Sequence, residues 1–175
     1  GVHISLSEEQ GAAQAYLEYL YAHCDLGHRL RIAATGAGYR GDSFLKAYYD
    51  ADTGEVRITS IEPSLVHPEW HPLDATRIVA IDVGQVVYDD RARPYLWIER
   101  HETRDGYGWI TNRVWRLKGD PTFGFLYDVK ADEAKLTAVD TLAGLTPEYE
   151  TGVDDLLVVH APNRQSEEGQ PWGDA

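Results

Sequence analysis

The spacing of apolar residues changes once along this chain, near residue 28. Before that point, apolar residues recur three or four positions apart, as on one face of a helix, at Ala13, Tyr16, Leu17, Leu20 and Cys24. Ser7 and Gln10 stand at the spacing of a capping box, and Gly27 is placed to close the helix in a left-handed conformation. The sequence therefore predicts a helix over residues 8–23.

From His28 onward, apolar and polar residues alternate, and β-branched and aromatic residues become frequent, which is typical of strands. The predicted strands cover residues 29–35, 43–50, 55–62, 78–88, 95–102, 109–117, 122–129 and 135–141. Short turns with glycine separate several of them, such as DADTGE and the Asp105-Gly106 pair. Turns this short connect antiparallel neighbours.

The predicted fold class is α+β, with an N-terminal helix packed on a curved, meandering antiparallel sheet of about seven or eight strands. The alternative is a partly closed β-barrel with the same helix. The chain has the size of one compact domain, predicted over residues 1–160, and the polar segment 161–175 is predicted to be a mobile tail. The helix followed by a sheet with the phrase YYDADTGEVRI resembles a PepSY-type domain, and this resemblance carries no function here.

A second similarity lies within the chain. Residues 49–62, YDADTGEVRITSIE, align without gaps on residues 127–140, YDVKADEAKLTAVD, and Gly41-Asp42 then falls on Gly119-Asp120. The sequence thus suggests two copies of one hairpin, over residues 41–62 and 119–140. Convergence of two unrelated hairpins on the same turn chemistry is the alternative.

The motif GAGYRG, residues 36–41, matches the glycine spacing of a dinucleotide-binding fingerprint. That fingerprint needs a strand before the glycines and a long helix after them. The residues that follow, DSFLKAYYDADTGEVRI, have strand and turn chemistry, and Glu55 at the expected acidic position begins a strand. We therefore interpret the motif as a turn between the first two strands and predict no cofactor.

Charge limits the classes of partner. With 16 basic and 29 acidic residues, the net charge of -13 disfavours nucleic acid, which binds to basic surfaces. No apolar run reaches the roughly 18 residues that span a membrane, so no membrane partner is predicted. The single Cys24 excludes an internal disulfide and favours the cytoplasm. A small molecule or a protein remains as partner, together with homodimerisation through an exposed strand edge.

The segment VHPEWHP holds His67, Glu69 and His71, which are residue types that bind divalent metals. Both histidines precede proline and are therefore biased away from helical geometry, so the spacing does not place them on one helical face. We interpret the segment as a structural loop and predict no metal. Cys24 follows the apolar face of the helix and is interpreted as a buried small residue.

The hairpin over residues 95–117 is the strongest candidate for a site. A two-residue Asp105-Gly106 loop would pair Glu102 with Trp109, His101 with Ile110, Glu99 with Asn112 and Trp97 with Val114. One face then carries a mixture of aromatic and polar side chains typical of ligand clefts, namely Tyr95, Trp97, Glu99, His101, Asn112 and Arg116. The other interpretation is an ordinary hairpin stabilised by cross-strand pairs.

These observations favour a small binding or interaction protein that uses this aromatic and polar sheet face. Two alternatives stay open. One is a small acid–base enzyme that uses the His101/Glu99 pair or the His67-Glu69-His71 segment. The other is an acidic inhibitor or immunity-type protein that neutralises a basic partner.

Overall fold

The computed structural model describes residues 11–118 and 130–162. They form two helices and nine strands: α1 (Gly11–His23), α2 (Leu26–Arg40), β1 (Phe44–Asp50), β2 (Glu55–Ile61), β3 (Val66–His71), β4 (Asp74–Tyr88), β5 (Pro94–Arg104), β6 (Tyr107–Lys118), β7 (Lys130–Ala134), β8 (Glu148–Glu150) and β9 (Val158–His160). The predicted α+β class and antiparallel pairing are confirmed. The strands belong to two open sheets, one of three strands and one of six, and the barrel alternative is wrong.

The described residues divide into two compact units, 11–63 with 158–162, and 64–118 with 130–157. Compact units of this kind occur within one domain as well as in separate domains, so the single domain over residues 1–160 stays a prediction. The predicted tail covers residues 161–175. The described residues end at residue 162, so residues 163–175 of this tail lie outside them.

The first unit contains both helices and a three-stranded sheet with the order β2-β1-β9. The short strand β9 pairs antiparallel with the start of β1. Nε2 of His160 lies 2.6 Å from Oδ1 of Asp42, and the His160 ring stacks on Phe44 with centroids 4.8 Å apart. A buried polar contact and an aromatic contact thus fasten this last strand to the first one.

Helix α2 replaces the strand predicted over residues 29–35, which is wrong. Leu30 and Ile32 suggested alternation, but both are exposed, and the buried side chains are Ala33 and Ala37, one helical turn apart. The first helix ends at His23 because Asp25, with a φ of 48°, takes the left-handed conformation that the sequence predicts for Gly27.

The motif GAGYRG is therefore the end of α2 followed by its cap residue Gly41, and the prediction of a turn between the first two strands is wrong, because α2 lies where the first strand was expected. Gly41 has a φ of 88° and donates its backbone N–H to the carbonyl of Ala37 at 2.9 Å. The end of a helix presents carbonyl groups and negative partial charge. This arrangement is the reverse of a phosphate-binding helix start.

The second unit is an antiparallel meander with the order β3-β4-β5-β6-β7, in which β8 also pairs with β6. The strands predicted over 78–88, 95–102 and 109–117 fall inside β4, β5 and β6 and are confirmed. Asp105 and Gly106 both have positive φ, 52° and 84°, as a two-residue type I′ turn requires. The predicted register of β5 on β6 is confirmed at all four pairs.

The segment VHPEWH, predicted as a loop, is the edge strand β3. The bias of a residue before proline is towards extended backbone, which suits a strand as well as a loop. Pro68 has no N–H to donate, and an edge strand tolerates this because only one of its sides is paired.

The strand predicted over residues 135–141 is also wrong. Leu136–Ala138 and Asp140–Leu142 form two short 3₁₀ turns. The buried residues Leu136, Val139 and Leu142 are three positions apart, which is the 3₁₀ period rather than that of a strand. The internal repeat is not seen here, because residues 136–138 form a 3₁₀ turn although they align on residues 58–60 of strand β2. The strand predicted over residues 122–129 lies outside the described residues.

Residues 135–147 leave the sheet after β7 and return to it at β8. Strand β7 pairs with the second half of β6, from Val114 to Lys118, and β8 pairs with its first half, from Trp109 to Thr111. Between them the chain folds over one sheet face, where a core forms from Tyr95, Val114, Leu136, Val139 and Leu142. We call this side the core face and the opposite side, which carries Ile98, Arg100 and Arg113, the groove face.

Candidate ligand-binding site

The six side chains predicted as a site all lie on the core face, because β5 and β6 pair in the expected register. The structure buries four of them, with exposed fractions from 1% to 8%: Tyr95, Glu99, His101 and Asn112. Trp97 is half-buried and Arg116 is exposed. The face is thus a packed interior over most of its length.

Glu99 and His101 form the most compact polar pair of the core face. Oε1 of Glu99 lies 2.6 Å from Nε2 of His101, whose residue is only 1% exposed. The other ring nitrogen, Nδ1, is buried and has no hydrogen-bond partner within residues 11–118 and 130–162. The pKa of Tyr149 is raised, mainly by burial and to a smaller extent by the negative charge of Glu99. The burial of the pair separates it from bulk water.

Asn112 and Trp97 have protein partners as well. The indole Nε1 of Trp97 donates to Oδ1 of Asn112 at 3.0 Å, and Nδ2 of Asn112 donates to the carbonyl of Thr146 at 2.9 Å. The backbone N–H of Asn112 donates to the carbonyl of Pro147 at 2.7 Å. These contacts fasten residues 135–147 to β6, so the two side chains have a structural use in addition to any role with a ligand, which remains a prediction.

The groove face carries a depression of about 280 Å³. Its walls come from three consecutive strands, because side chains two positions apart share a sheet face. The lining residues are Asp82 of β4, Ile98, Arg100 and Glu102 of β5, and Thr111, Arg113 and Trp115 of β6. The lining is mainly polar and charged, and Ile98 and Trp115 supply its apolar surface.

Arg100 is held on three sides by carboxylates. Its Nη2 donates to Glu69 at 2.6 Å, its Nη1 to Asp82 at 3.2 Å, and its Nε to Glu102 at 3.1 Å. Burial works against the charged form, but the hydrogen bonds with Glu69 and Glu102 outweigh it and raise the pKa of Arg100. Its guanidinium is therefore part of the wall of the groove and has little capacity left for a ligand.

Arg104 continues this network. It donates through Nε to Glu102 at 2.7 Å, contacts Glu148, and reaches Oγ1 of Thr111 at 3.2 Å. Its guanidinium carbon also lies 5.3 Å from the centroid of the Trp109 ring. Burial favours a raised pKa for Glu102, but the hydrogen bonds from Arg104 and Arg100 outweigh it and lower that pKa. The carboxylate therefore stays ionised at neutral pH.

Arg113 differs from these two arginines. It is exposed, lies directly across from Ile98 in the β5–β6 register, and lines the groove between Thr111 and Trp115. In the described parts of the chain, no carboxylate lies within ion-pair distance of its guanidinium. The groove thus combines saturated charges in its wall with one guanidinium that is available to a ligand.

The histidine segment does not assemble as a metal site. Glu69 is bound to Arg100 at 2.6 Å, and Nδ1 of His71 accepts the backbone N–H of Leu73 at 3.2 Å. Among the residues that the structure describes, no group of three His, Cys, Asp or Glu side chains is placed to hold a metal ion. Cys24 is buried, as predicted, and its thiol donates to the carbonyl of Val56 at 3.3 Å.

Comparison with protein-family models and a search of curated proteins found no match to this chain. The similarity of YYDADTGEVRI to PepSY-type domains therefore stays at the level of hairpin chemistry. Neither helix of the described residues is long and apolar enough to cross a membrane.

Proposed function

We propose that this chain is a small ligand-binding protein and that the groove of the second unit is its binding site. The observation that carries the proposal is Arg113, a guanidinium without a carboxylate partner in the described ranges, beside the ring of Trp115 in a groove of about 280 Å³. An aromatic surface beside a charged group that is free to bind is characteristic of ligand sites. We also propose a cytoplasmic location, supported by a free, buried thiol at Cys24.

The position of the groove on three paired strands supports this proposal. Sites on strands hold their side chains more accurately than sites on loops do. The contacts of Arg100 with Glu69, Asp82 and Glu102 join β3, β4 and β5, so the wall is braced from one strand to the next. A ligand would then meet a surface that needs little ordering, which reduces the entropic cost of binding.

The test is a fragment screen by NMR on the ¹⁵N-labelled 175-residue chain. We expect the fragments that bind to shift backbone amides of Ile98, Thr111, Arg113 and Trp115. The variant Arg113→Gln should lose these shifts. Arg116→Gln is the matched control, because Arg116 is an exposed arginine of the same strand on the opposite face. Shifts confined to other surfaces, or equal shifts in Arg113→Gln, would contradict the proposal.

A second candidate is acid–base catalysis by His101 and Glu99, favoured by the 2.6 Å contact between them and the unshared Nδ1 of His101. A catalytic imidazole must be reachable from solution. The test is modification by diethyl pyrocarbonate, mapped by mass spectrometry, with the exposed His67 as internal reference. Modification of His101 at a rate close to that of His67 would support catalysis, and full protection of His101 would remove this candidate.

A further inference from the structure

The charges of the groove restrict the ligand. Asp82 and Glu102 line it, but both accept hydrogen bonds from Arg100. Arg113 is the remaining charged group of the lining and has no such partner in the described residues. A guanidinium presents parallel N–H donors that match the two oxygens of a carboxylate, and this bidentate pair is stronger than a neutral hydrogen bond. The groove therefore has one place for one anionic group.

The same charges disfavour ligands with more than one negative charge. A phosphate bound to Arg113 carries a charge of about −2. This charge would lie in a groove whose lining already holds the carboxylates of Asp82 and Glu102. The net charge of the chain, -13, adds to this repulsion. A single carboxylate fits the available charge better than a phosphate does.

The rest of the ligand would lie on apolar surface. Ile98 is directly opposite Arg113, and the indole of Trp115 lines the same groove. Pockets for drug-sized ligands usually measure roughly 300–1,000 Å³, so a groove of about 280 Å³ suits a molecule with one ring. A flat ring can contact the Trp115 ring while its carboxylate reaches the guanidinium.

We infer that the groove binds a small aromatic monocarboxylate, with the carboxylate on Arg113 and the ring against Trp115 and Ile98. This inference rests on the proposed binding function, because it names the class of ligand for that same site.

The experiment uses 4-fluorobenzoate as probe, followed by ¹⁹F NMR on the 175-residue chain at neutral pH. Loss of a charge-assisted, bidentate hydrogen bond costs about 1.5–3 kcal/mol. We therefore expect Arg113→Gln to weaken binding by roughly 10- to 150-fold. Arg113→Lys should weaken it by less than Arg113→Gln, because an ammonium retains the charge but not the fork of donors. Arg116→Gln should bind as the parent protein does.

Two further probes test the ligand class. The neutral isostere 4-fluorobenzamide should bind at least about tenfold more weakly than 4-fluorobenzoate, and inorganic phosphate should not displace the probe. Arg113 is exposed, so its variants should keep the parent melting temperature, which separates lost binding from lost folding. Equal affinities for benzoate and benzamide, displacement by phosphate, or an unchanged affinity in Arg113→Gln would overturn the inference.

The outcomes also separate this inference from the proposed function. If the fragment screen maps neutral or cationic fragments to the groove while 4-fluorobenzoate does not bind, the ligand class is wrong and the binding site stands. If neither the fragments nor 4-fluorobenzoate shift residues of the groove, both fail.

Discussion

The buried Glu99–His101 pair makes a prediction that can be worked out from its geometry. The two groups are 2.6 Å apart in a region where His101 is 1% exposed. The changes are His101→Leu, Glu99→Leu and the double variant. Leucine fills a similar volume without polar atoms, so the changes test the polar interaction more than the packing.

The expected losses of stability differ between the three variants. His101→Leu removes the imidazole partner of a buried carboxylate, and breaking a buried pair in this way costs about 3–5 kcal/mol. Glu99 has other interactions that remain in His101→Leu. We therefore expect a loss of stability near the lower end of this range, about 3 kcal/mol. Glu99→Leu leaves a buried imidazole without its acceptor, at a cost of about 1–3 kcal/mol. The double variant leaves neither group, and its stability should be near that of the parent or above it.

The assay is native-state hydrogen exchange of amides in β5 and β6, which reports the opening free energy of this unit by itself. A loss of about 3 kcal/mol accelerates exchange roughly 150-fold, since each 1.4 kcal/mol is a factor of ten. We expect a coupling energy of at least about 4 kcal/mol between the two positions, the sum of the two single losses when the double variant is as stable as the parent. Additive losses, with the double variant less stable than either single one, would refute the view that Glu99 and His101 form one buried unit.

Two other predictions concern the turn after β4 and a close backbone approach to β6. Burial favours a raised pKa for Asp89, but hydrogen bonds from Arg93 and from backbone amides lower it from 3.8 to about 2. The carboxylate therefore stabilises the fold fully above its ordinary pKa of 3.8 and loses this effect as the pH falls to about 2. In urea unfolding, the stability gap between the parent and Asp89→Asn should close over that range, and a constant gap would contradict the assignment. A Cβ on Gly108 would lie 2.6 Å from the carbonyl oxygen of Asp155, so Gly108→Ala should cost about 1–3 kcal/mol. Gly106→Ala meets no atom within 4 Å and should cost only the strain of positive φ, about 1–2 kcal/mol. Unperturbed amide shifts around Asp155 in Gly108→Ala would contradict the close approach.

The parts of the fold that could be predicted are those set by neighbours in the sequence. The Asp105-Gly106 pair determines the turn and, with it, the register of β5 on β6. Alternation alone was ambiguous. Leu30 and Ile32 are two residues apart and resemble a strand, but they lie on the exposed side of α2, where helical residues face solvent. The small residues that do pack, Ala33 and Ala37, carry a weak hydrophobic signal.

The candidate site could be predicted only in part, for a related reason. The register places the mixed aromatic and polar residues on one face, but which face is covered depends on residues 135–147. The sequence predicts a strand over residues 135–141, whereas the buried residues Leu136, Val139 and Leu142 recur every three positions, in two 3₁₀ turns. Without that cover, nothing in the sequence distinguishes the side of His101 from the side of Arg113. That Arg113 has no carboxylate partner among the described residues is a property of the tertiary structure and has no local signal.

The pairing of β9 with β1 has a consequence for the way the chain is made. The first unit is discontinuous in sequence, since its last strand, Val158–His160, follows the whole of the second unit. During synthesis from the N-terminus, residues 64–157 leave the ribosome before the segment that completes the earlier sheet. The later unit can therefore mature first. A chain ended after Leu157 should keep amide protection in β4 to β6 and lose it in β1, because Phe44 and Asp42 would lack the His160 side chain that holds them. Equal amide protection of β1 in the shortened chain and in the 175-residue chain would show that the sheet of the first unit is stable without β9.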